Sequence, residues 1–235
     1  MEPELLPNDC VQCGRPSPDR VKDGTCMQTA LAILAALWLA ANTGTQAGSE
    51  TLRFVIARNG DPIGTHTIEI NRTGPETSVD IRTDLAVNVL FFTAYRLQQR
   101  AGERWIDGHL VALNSTTDNN GARHKVSVVM KGSELELDAD GNISRLDSNV
   151  VPSSLWNPEF LKHPKVLDTQ DGKATPVSVV DKGLEMLTIG IRSIQAHHYV
   201  MKGRYSQDAW YDDRGHLVQV KMTVSDGSVI LYKPA

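Results

Sequence analysis

No cysteine follows Cys26 in this sequence of 235 residues, because all three cysteines, Cys10, Cys13 and Cys26, lie near its start. A domain formed by the rest of the chain contains no disulfide, so its stability must come from its core, which a domain of this length can bury. The three cysteines would suit a zinc site, but no histidine precedes His66 to complete one nearby. We therefore expect residues 1–26 to be a leader that is either disordered or not translated.

Clusters of basic residues are also missing. The chain has 24 Lys and Arg against 28 Asp and Glu, for a formal net charge of −4, and its basic residues are scattered singly among acids. Proteins that neutralise phosphates carry basic patches or stripes instead. We expect no nucleic-acid partner.

The common catalytic motifs are absent: there is no Gly-rich phosphate loop, no nucleophile elbow and no HExxH zinc helix. Residues 138–142 resemble the start of a calcium loop, but Ile143 and Asn149 stand where that loop requires Gly and Glu, so a hairpin turn is favoured. His197 and His198 are adjacent on a predicted strand and therefore point to opposite faces, so they cannot share a metal. We expect no metal and no cofactor, and we favour a non-enzymatic protein while leaving enzymatic activity open.

Long apolar runs are limited to one segment, residues 30–41, which is shorter than the about 20 residues of a membrane span. Its length is typical of the core of a signal peptide. Thr45 and Ala47 supply small side chains at the two positions that a signal peptidase reads, so cleavage is predicted after Ala47. The alternative is an uncleaved anchor. Either Met1 or Met27 is the true start, and a start at Met27 would discard every cysteine.

This pattern divides the chain into the leader at 1–26, a signal peptide at 27–47 and a single β domain at 48–235. The predicted location is the periplasm or the exterior of the cell. The only membrane contact we expect is through the signal segment.

What the remainder does contain is period-two alternation, the signature of strands. It is clearest over residues 78–98, where most odd-numbered side chains are apolar and most even-numbered ones are polar. This alternation predicts one long strand with bends at Ala86 and Asn88, a reversal at 101–103 and a returning strand at 105–117. The Asn120-Gly121 pair then predicts a tight hairpin turn before a third strand at 123–131.

The same signals continue through most of the chain and predict a fold class. Many short strands with regular turns and almost no helical periodicity indicate an all-β fold, an antiparallel meander rolled into a barrel or a curved half-barrel. The further predicted strands are 51–58, 63–71, 134–138, 142–146, 177–181, 184–191, 194–201, 209–212, 216–224 and 228–233.

The alternation stops over residues 148–164, a segment with several prolines and aromatic side chains. The prolines exclude a long helix. Asn157 is a suitable cap and Pro158 a suitable first residue for a short helix at about 158–162. We expect this segment to act as a plug or lid packed against the sheet.

Aromatic residues make up only 6% of the chain, so those near one-sided strands indicate where a ligand would bind. Our first hypothesis is a periplasmic β-sheet protein whose concave apolar face binds or shields a hydrophobic ligand, such as a lipid or an envelope component. The same aromatic side chains would also suit a core. The candidate ligand-binding residues are Phe91, Tyr95, Trp105, Trp156, Asn157 and Phe160.

Two alternatives stay open. The first is an envelope hydrolase that uses Ser153 or Ser154 with His163 and Asp168 or Asp171, which requires those side chains to converge. The second is a scaffolding module that binds another envelope protein through a sheet edge. The oligomeric state and the ligand are not indicated by the sequence.

Four stretches carry a resemblance to a known family: residues 91–95 (FFTAY), 152–158 (PSSLWNP), 210–217 (WYDDRGHL) and 226–228 (DGS). Together with the signal peptide, they resemble a family of uncharacterised exported proteins of Gram-negative bacteria that is known chiefly as a domain of unknown function. The resemblance covers most of residues 51–232. It implies a β-rich periplasmic domain and no catalytic residue.

Overall fold

The computed structural model describes residues 48–89, 92–204 and 206–235. The predicted leader, the signal peptide, the cleavage site at Ala47 and the candidate residue Phe91 lie outside these described residues. Within the described ranges, no helix has the length and apolar character needed to cross a membrane.

The described chain consists of fourteen strands and one short 3-10 helix. The helix, Pro158–Lys162, begins after the cap residue Asn157, whose side-chain oxygen accepts a hydrogen bond from the Glu159 backbone N–H at 3.0 Å. The short capped helix expected there is thus present. The strands are β1 (Gly48–Arg58), β2 (Asp61–Thr73), β3 (Glu76–Val89), β4 (Phe92–Ile106), β5 (His109–Asn119), β6 (Ala122–Lys131), β7 (Glu134–Ala139), β8 (Asn142–Leu146), β9 (Lys165–Leu167), β10 (Ala174–Ile189), β11 (Arg192–Gly203), β12 (Gln207–Tyr211), β13 (Leu217–Thr223) and β14 (Val229–Pro234).

All fourteen strands form one antiparallel sheet in which nearly every strand pairs with its neighbour along the chain. Pairing of β1 with β14 joins the two halves of this meander. β8 and β9 are the two edges, and the ladder does not join them. The predicted all-β antiparallel meander is confirmed, but the sheet is not closed.

The sheet buries one face in a single core. Apolar residues from strands far apart in the sheet order, such as Leu113 of β5 and Met201 of β11, belong to one buried cluster. A flat sheet could not bring them together, so the strands curve around a shared interior. Most strands show the alternation of buried and exposed residues that such a one-sided sheet requires.

The crossing segment, defined as residues 147–164, leads from edge strand β8 to edge strand β9 through this interior. Trp156 packs edge to face on Trp105 of β4, with ring centroids 5.6 Å apart. The Tyr211 hydroxyl of β12 donates a hydrogen bond to the Leu155 carbonyl at 2.9 Å. Contacts with β4 on one side and β12 on the other therefore hold the segment inside the curved sheet.

The predicted long strand over 78–98 is wrong, as is the reversal at 101–103. The chain reverses between β3 and β4 instead, and residues 101–103 lie within β4. Val79 pairs with Glu103 and Val87 with Tyr95, so both members of each pair have odd numbers. Next to the turn the register shifts beyond Val87, so that Val89 pairs with Phe92. Because paired residues point to the same face, this shift keeps odd-numbered residues on one face of both strands, and the sequence alternation shows no break.

The second reversal lies at Asp107-Gly108, between β4 and β5. Both residues have positive φ, 49° and 77°, the conformation that Asp-Gly pairs supply in tight hairpin turns. The separate strands predicted at 177–181 and 184–191 are one strand, β10, with a bulge between Asp181 and Gly183. β9 is a three-residue strand with no counterpart in the prediction.

Candidate functional site

The curved sheet encloses a cavity of about 650 Å³, within the range of about 300–1,000 Å³ that small-molecule sites occupy. Apolar side chains contribute most of its surface. They come from opposite parts of the sheet and include Ile81, Leu85, Leu97, Met201, Met222 and Ile230.

The crossing segment and the β9–β10 turn, residues 168–173, form part of the cavity wall. The Gln99 side-chain amide of β4 donates a hydrogen bond to Thr169 Oγ1 at 3.1 Å. A Cβ on Gly172 would lie 2.8 Å from Ala139 Cβ of β7, so the turn packs closely there and suits glycine, whose φ is +74°. The wall is therefore built from the crossing segment, edge strand β9, the β9–β10 turn and strands from the middle of the sheet.

Uncharged polar groups form one part of the lining. His66 on β2 is buried, and its Nδ1 lies 2.8 Å from Thr83 Oγ1. Burial lowers the pKa of His66 to about 4, so the ring is neutral at pH 7. The Tyr232 ring of β14 stands edge to face with it, 5.5 Å between centroids. Burial raises the pKa of Tyr232 to about 12, so its hydroxyl is neutral as well.

Charged groups in the lining are paired with one another. Arg58 forms a salt bridge with Asp226. Arg204 forms salt bridges with Asp168 at 3.0 Å and with Asp171, just outside the lining, at 2.7 Å. Burial raises the pKa of Asp168. Burial acts in the same direction on Asp171, but hydrogen bonds from Lys173 and Arg204 outweigh it and lower the pKa of that carboxyl.

A second polar cluster surrounds Glu103, which is buried on β4. The indole N–H groups of Trp105 and Trp156 donate hydrogen bonds to its Oε2 at 2.9 and 2.7 Å. Burial raises the pKa of Glu103, and its interactions with Ser154, Trp156 and Trp105 lower it by less. The Ser154 hydroxyl lies near enough to lower the pKa of Glu103. However, no group in the described chain forms a well-oriented hydrogen bond with Oε1.

The candidate residues from the sequence divide into two groups. Tyr95 and Phe160 line the cavity, and the Tyr95 hydroxyl donates to Asn119 Oδ1 at 2.9 Å. Trp105 and Trp156 do not line it, because their indoles bind Glu103 in the core. Asn157 caps the 3-10 helix. Phe91, as stated, is outside the described residues.

Sequence reasoning missed the polar members of the lining, His66 and Tyr232. His66 shares the inward register of β2 with Ile68 and Ile70, which are fully buried. A histidine among apolar residues on one strand face was a usable signal. Tyr232 carried none, because a tyrosine on a terminal strand suits a core or a surface equally well.

The catalytic grouping considered for a hydrolase is not assembled by hydrogen bonds. The Asp171 carboxylate accepts from Lys173 and Arg204, and Ser154 lies near Glu103. No hydrogen bond joins His163 to either residue within the described ranges. The described residues also contain no cluster of His, Cys, Asp or Glu that could hold a metal ion.

An open, barrel-like antiparallel sheet around an internal cavity defines the general class of this all-β protein. Residues 54–235 match the domain of unknown function DUF6134, and the chain belongs to that family. The resemblance drawn from the sequence is thereby confirmed as far as a domain of unknown function. Export and a Gram-negative source stay predictions.

Among solved structures, the chain is similar to the crystal structure of a β-barrel-like protein of the domain of unknown function DUF1849 from Brucella abortus. The TM-score is 0.59 at 9% sequence identity, and the match covers 81% of this chain and 97% of that one. At this identity the similarity concerns the fold alone. No curated protein matches the sequence.

Proposed function

We propose that this protein is a non-enzymatic component of the bacterial envelope that binds or shields a hydrophobic ligand inside its curved sheet. The observation that carries the proposal is the cavity of about 650 Å³ with its mainly apolar lining. A core whose side chains filled the interior would offer no such volume. The periplasmic location is part of the proposal and rests on the signal-peptide pattern of residues 27–47.

Two measurements on the purified full chain test ligand binding. Organic extraction followed by mass spectrometry should identify a lipid-like molecule that co-purifies with the protein. Titration with N-phenyl-1-naphthylamine, an apolar probe that fluoresces when it leaves water, should give a saturable signal. A protein that carries no such molecule and does not bind the probe would contradict the proposal.

A pair of matched variants connects probe binding to the cavity. Ala94 lines the cavity and is also exposed, so Ala94→Trp places an indole at its opening without overfilling the core. Ala122 is also exposed, at the start of β6, but is not in the lining. We expect Ala94→Trp to weaken probe binding by about tenfold, or about 1.4 kcal/mol. Ala122→Trp should leave it unchanged.

The scaffolding alternative is favoured by a separate observation, the edge of β10. Beyond Val177, this strand pairs with β11 alone in the described structure. Leu184 and Met186 are each 59% exposed there. An unpaired strand edge with apolar side chains suits a partner that adds a strand.

Photo-crosslinking in intact cells tests this alternative. A photoreactive residue at Leu184 should crosslink one defined partner protein. The same residue at Val129, which is exposed on the doubly paired strand β6, should not. Equal crosslinking from both positions would dismiss the edge as a specific surface.

A further inference from the structure

We propose that the cavity selects an electrically neutral amphiphile, a hydrocarbon with a hydroxyl or similar uncharged group that hydrogen-bonds to Tyr232. This inference deepens the proposed function and rests on it. It concerns the chemical class of the ligand, which neither the fold nor the family specifies.

The first argument is the balance of charge in the lining. Its charged side chains are Arg58, Asp168, Arg204 and Asp226, two of each sign, and each forms a salt bridge with an opposite charge. An anionic headgroup would have to share Arg58 or Arg204 with the carboxylate that already neutralises it, or enter without a partner. Both are costly in an apolar site, because a buried charge without a partner loses its hydration. Charge balance therefore disfavours carboxylates and phosphates.

The second argument is the hydroxyl of Tyr232. This hydroxyl forms no hydrogen bond with any described residue. A fully enclosed oxygen without a partner would belong to the small set of such atoms in the described chain, and Tyr232 is not among them. The Tyr232 oxygen therefore retains accessible surface. Tyr232 lines the cavity. A ligand can therefore reach the oxygen.

The surroundings of Tyr232 offer no charge at pH 7. The neighbouring His66 ring is neutral, and its Nδ1 is engaged with Thr83. The Tyr95 hydroxyl, also in the lining, already donates to Asn119. His66 Nε2 has no partner among the described residues but is fully enclosed. The accessible group is therefore the Tyr232 phenol, which can donate one hydrogen bond and accept another. A ligand hydroxyl matches both roles, and a hydrocarbon chain matches the apolar remainder.

Competition between ligands of equal chain length tests the inference. The full chain is loaded with N-phenyl-1-naphthylamine, which is then displaced by 1-dodecanol or by dodecanoate at about pH 7, where a carboxylate is ionised. We expect 1-dodecanol to displace the probe at a concentration about tenfold lower than dodecanoate, because only the carboxylate enters as an unpaired charge. Equal displacement by both, or stronger displacement by dodecanoate, would overturn the inference.

Two tyrosine variants assign the selectivity to one hydroxyl. Tyr232→Phe should weaken 1-dodecanol binding by about 3- to 10-fold, the effect of one neutral hydrogen bond, and should weaken it by more than it weakens dodecanoate binding. Tyr199→Phe is the matched control, because Tyr199 packs against the core outside the lining. An unchanged 1-dodecanol affinity in Tyr232→Phe would refute the role of this hydroxyl. If the wild-type protein neither binds the probe nor carries a co-purified ligand, the proposed function itself fails, and the two failures are thus distinguishable.

Discussion

Glu103 illustrates how a single residue joins the crossing segment to the sheet. Its carboxylate accepts one indole N–H from Trp105 on its own strand and one from Trp156 on the crossing segment. The two hydrogen bonds converge on one oxygen in a buried site, so the charge has strong partners but is shielded from bulk water. This compromise accounts for the raised pKa, because burial opposes the charge by more than the donors favour it.

A raised pKa determines the sign of the pH dependence. The folded state binds the Glu103 proton more tightly than the unfolded state does. The stability that protonated Glu103 contributes is therefore complete below the ordinary Glu pKa and is lost as the pH rises through the raised pKa. Glu103→Gln removes this titration and keeps an oxygen that both indoles can reach. In urea unfolding between about pH 4 and pH 8, the free energy of unfolding of Glu103→Gln should rise relative to wild type as pH increases.

A second substitution separates titration from hydrogen bonding. Glu103→Leu leaves both buried indole N–H groups without an acceptor and should cost about 1–3 kcal/mol at every pH. If Glu103→Gln instead follows the pH profile of the wild type, Glu103 does not titrate in this range. The assignment of the raised pKa would then be wrong.

At the scale of elements, the close approach of β2 and β3 depends on Gly64, which pairs with Leu85 beside the cavity. A Cβ at Gly64 would overlap the Asp84 backbone oxygen and lie 2.6 Å from Leu85 Cα. Since both are parts of the β3 backbone, the strands would have to separate. We expect Gly64→Ala to lower the free energy of unfolding by about 3 kcal/mol or more in urea titrations.

Gly102 is the control for this prediction, because it lies within β4 and its nearest contact for a Cβ is the Asp80 side chain at 3.8 Å. Gly102→Ala should be neutral or stabilise by about 0.5–1 kcal/mol, as expected for glycine in the interior of a strand. Equal destabilisation by both substitutions would show that the effect of Gly64→Ala does not come from close strand packing.

The turns between strands show why prediction from the sequence succeeds at some positions and fails at others. Asn120-Gly121 is predicted as a turn because glycine and asparagine tolerate positive φ, and both residues have it. The β3–β4 reversal contains no such pair. A register shift beyond Val87 keeps odd-numbered residues paired with odd-numbered ones in the rest of the hairpin, so periodicity could not reveal the reversal. Asp107-Gly108 carries the same signal and forms the β4–β5 turn, whereas residues 101–103 lie within β4.

The candidate site was less accessible to sequence reasoning than the strands. Trp105 and Trp156 were selected as aromatic side chains, yet their position in the core depends on Glu103, whose burial follows from the register of β4. The cavity lies among strands that are distant in the chain, such as β3 and β14. Which side chains meet there depends on how the sheet curves, and alternation does not encode that curvature.

At the scale of the whole molecule, the open sheet and its cavity link ligand binding to unfolding. The cavity wall combines β2, β3, β4, the crossing segment, β11, β13 and β14, so it exists only while these elements stay together. A ligand bound there interacts with the folded state alone. Binding should therefore stabilise the entire sheet rather than one hairpin.

The magnitude of this coupling can be calculated in advance. At a free concentration of 100 times its Kd, 1-dodecanol should add about 2.7 kcal/mol to the free energy of unfolding. For a domain of this size the Tm should rise by about 5–10 °C in a thermal melt followed by circular dichroism. Ala94→Trp, compared at the same ligand concentration, should show a much smaller rise because its cavity opening is obstructed. The contradicting outcome is a wild-type Tm that does not change although 1-dodecanol still displaces the fluorescent probe. The ligand would then bind the unfolded chain as well as the folded one. A site built from the folded sheet does not allow this.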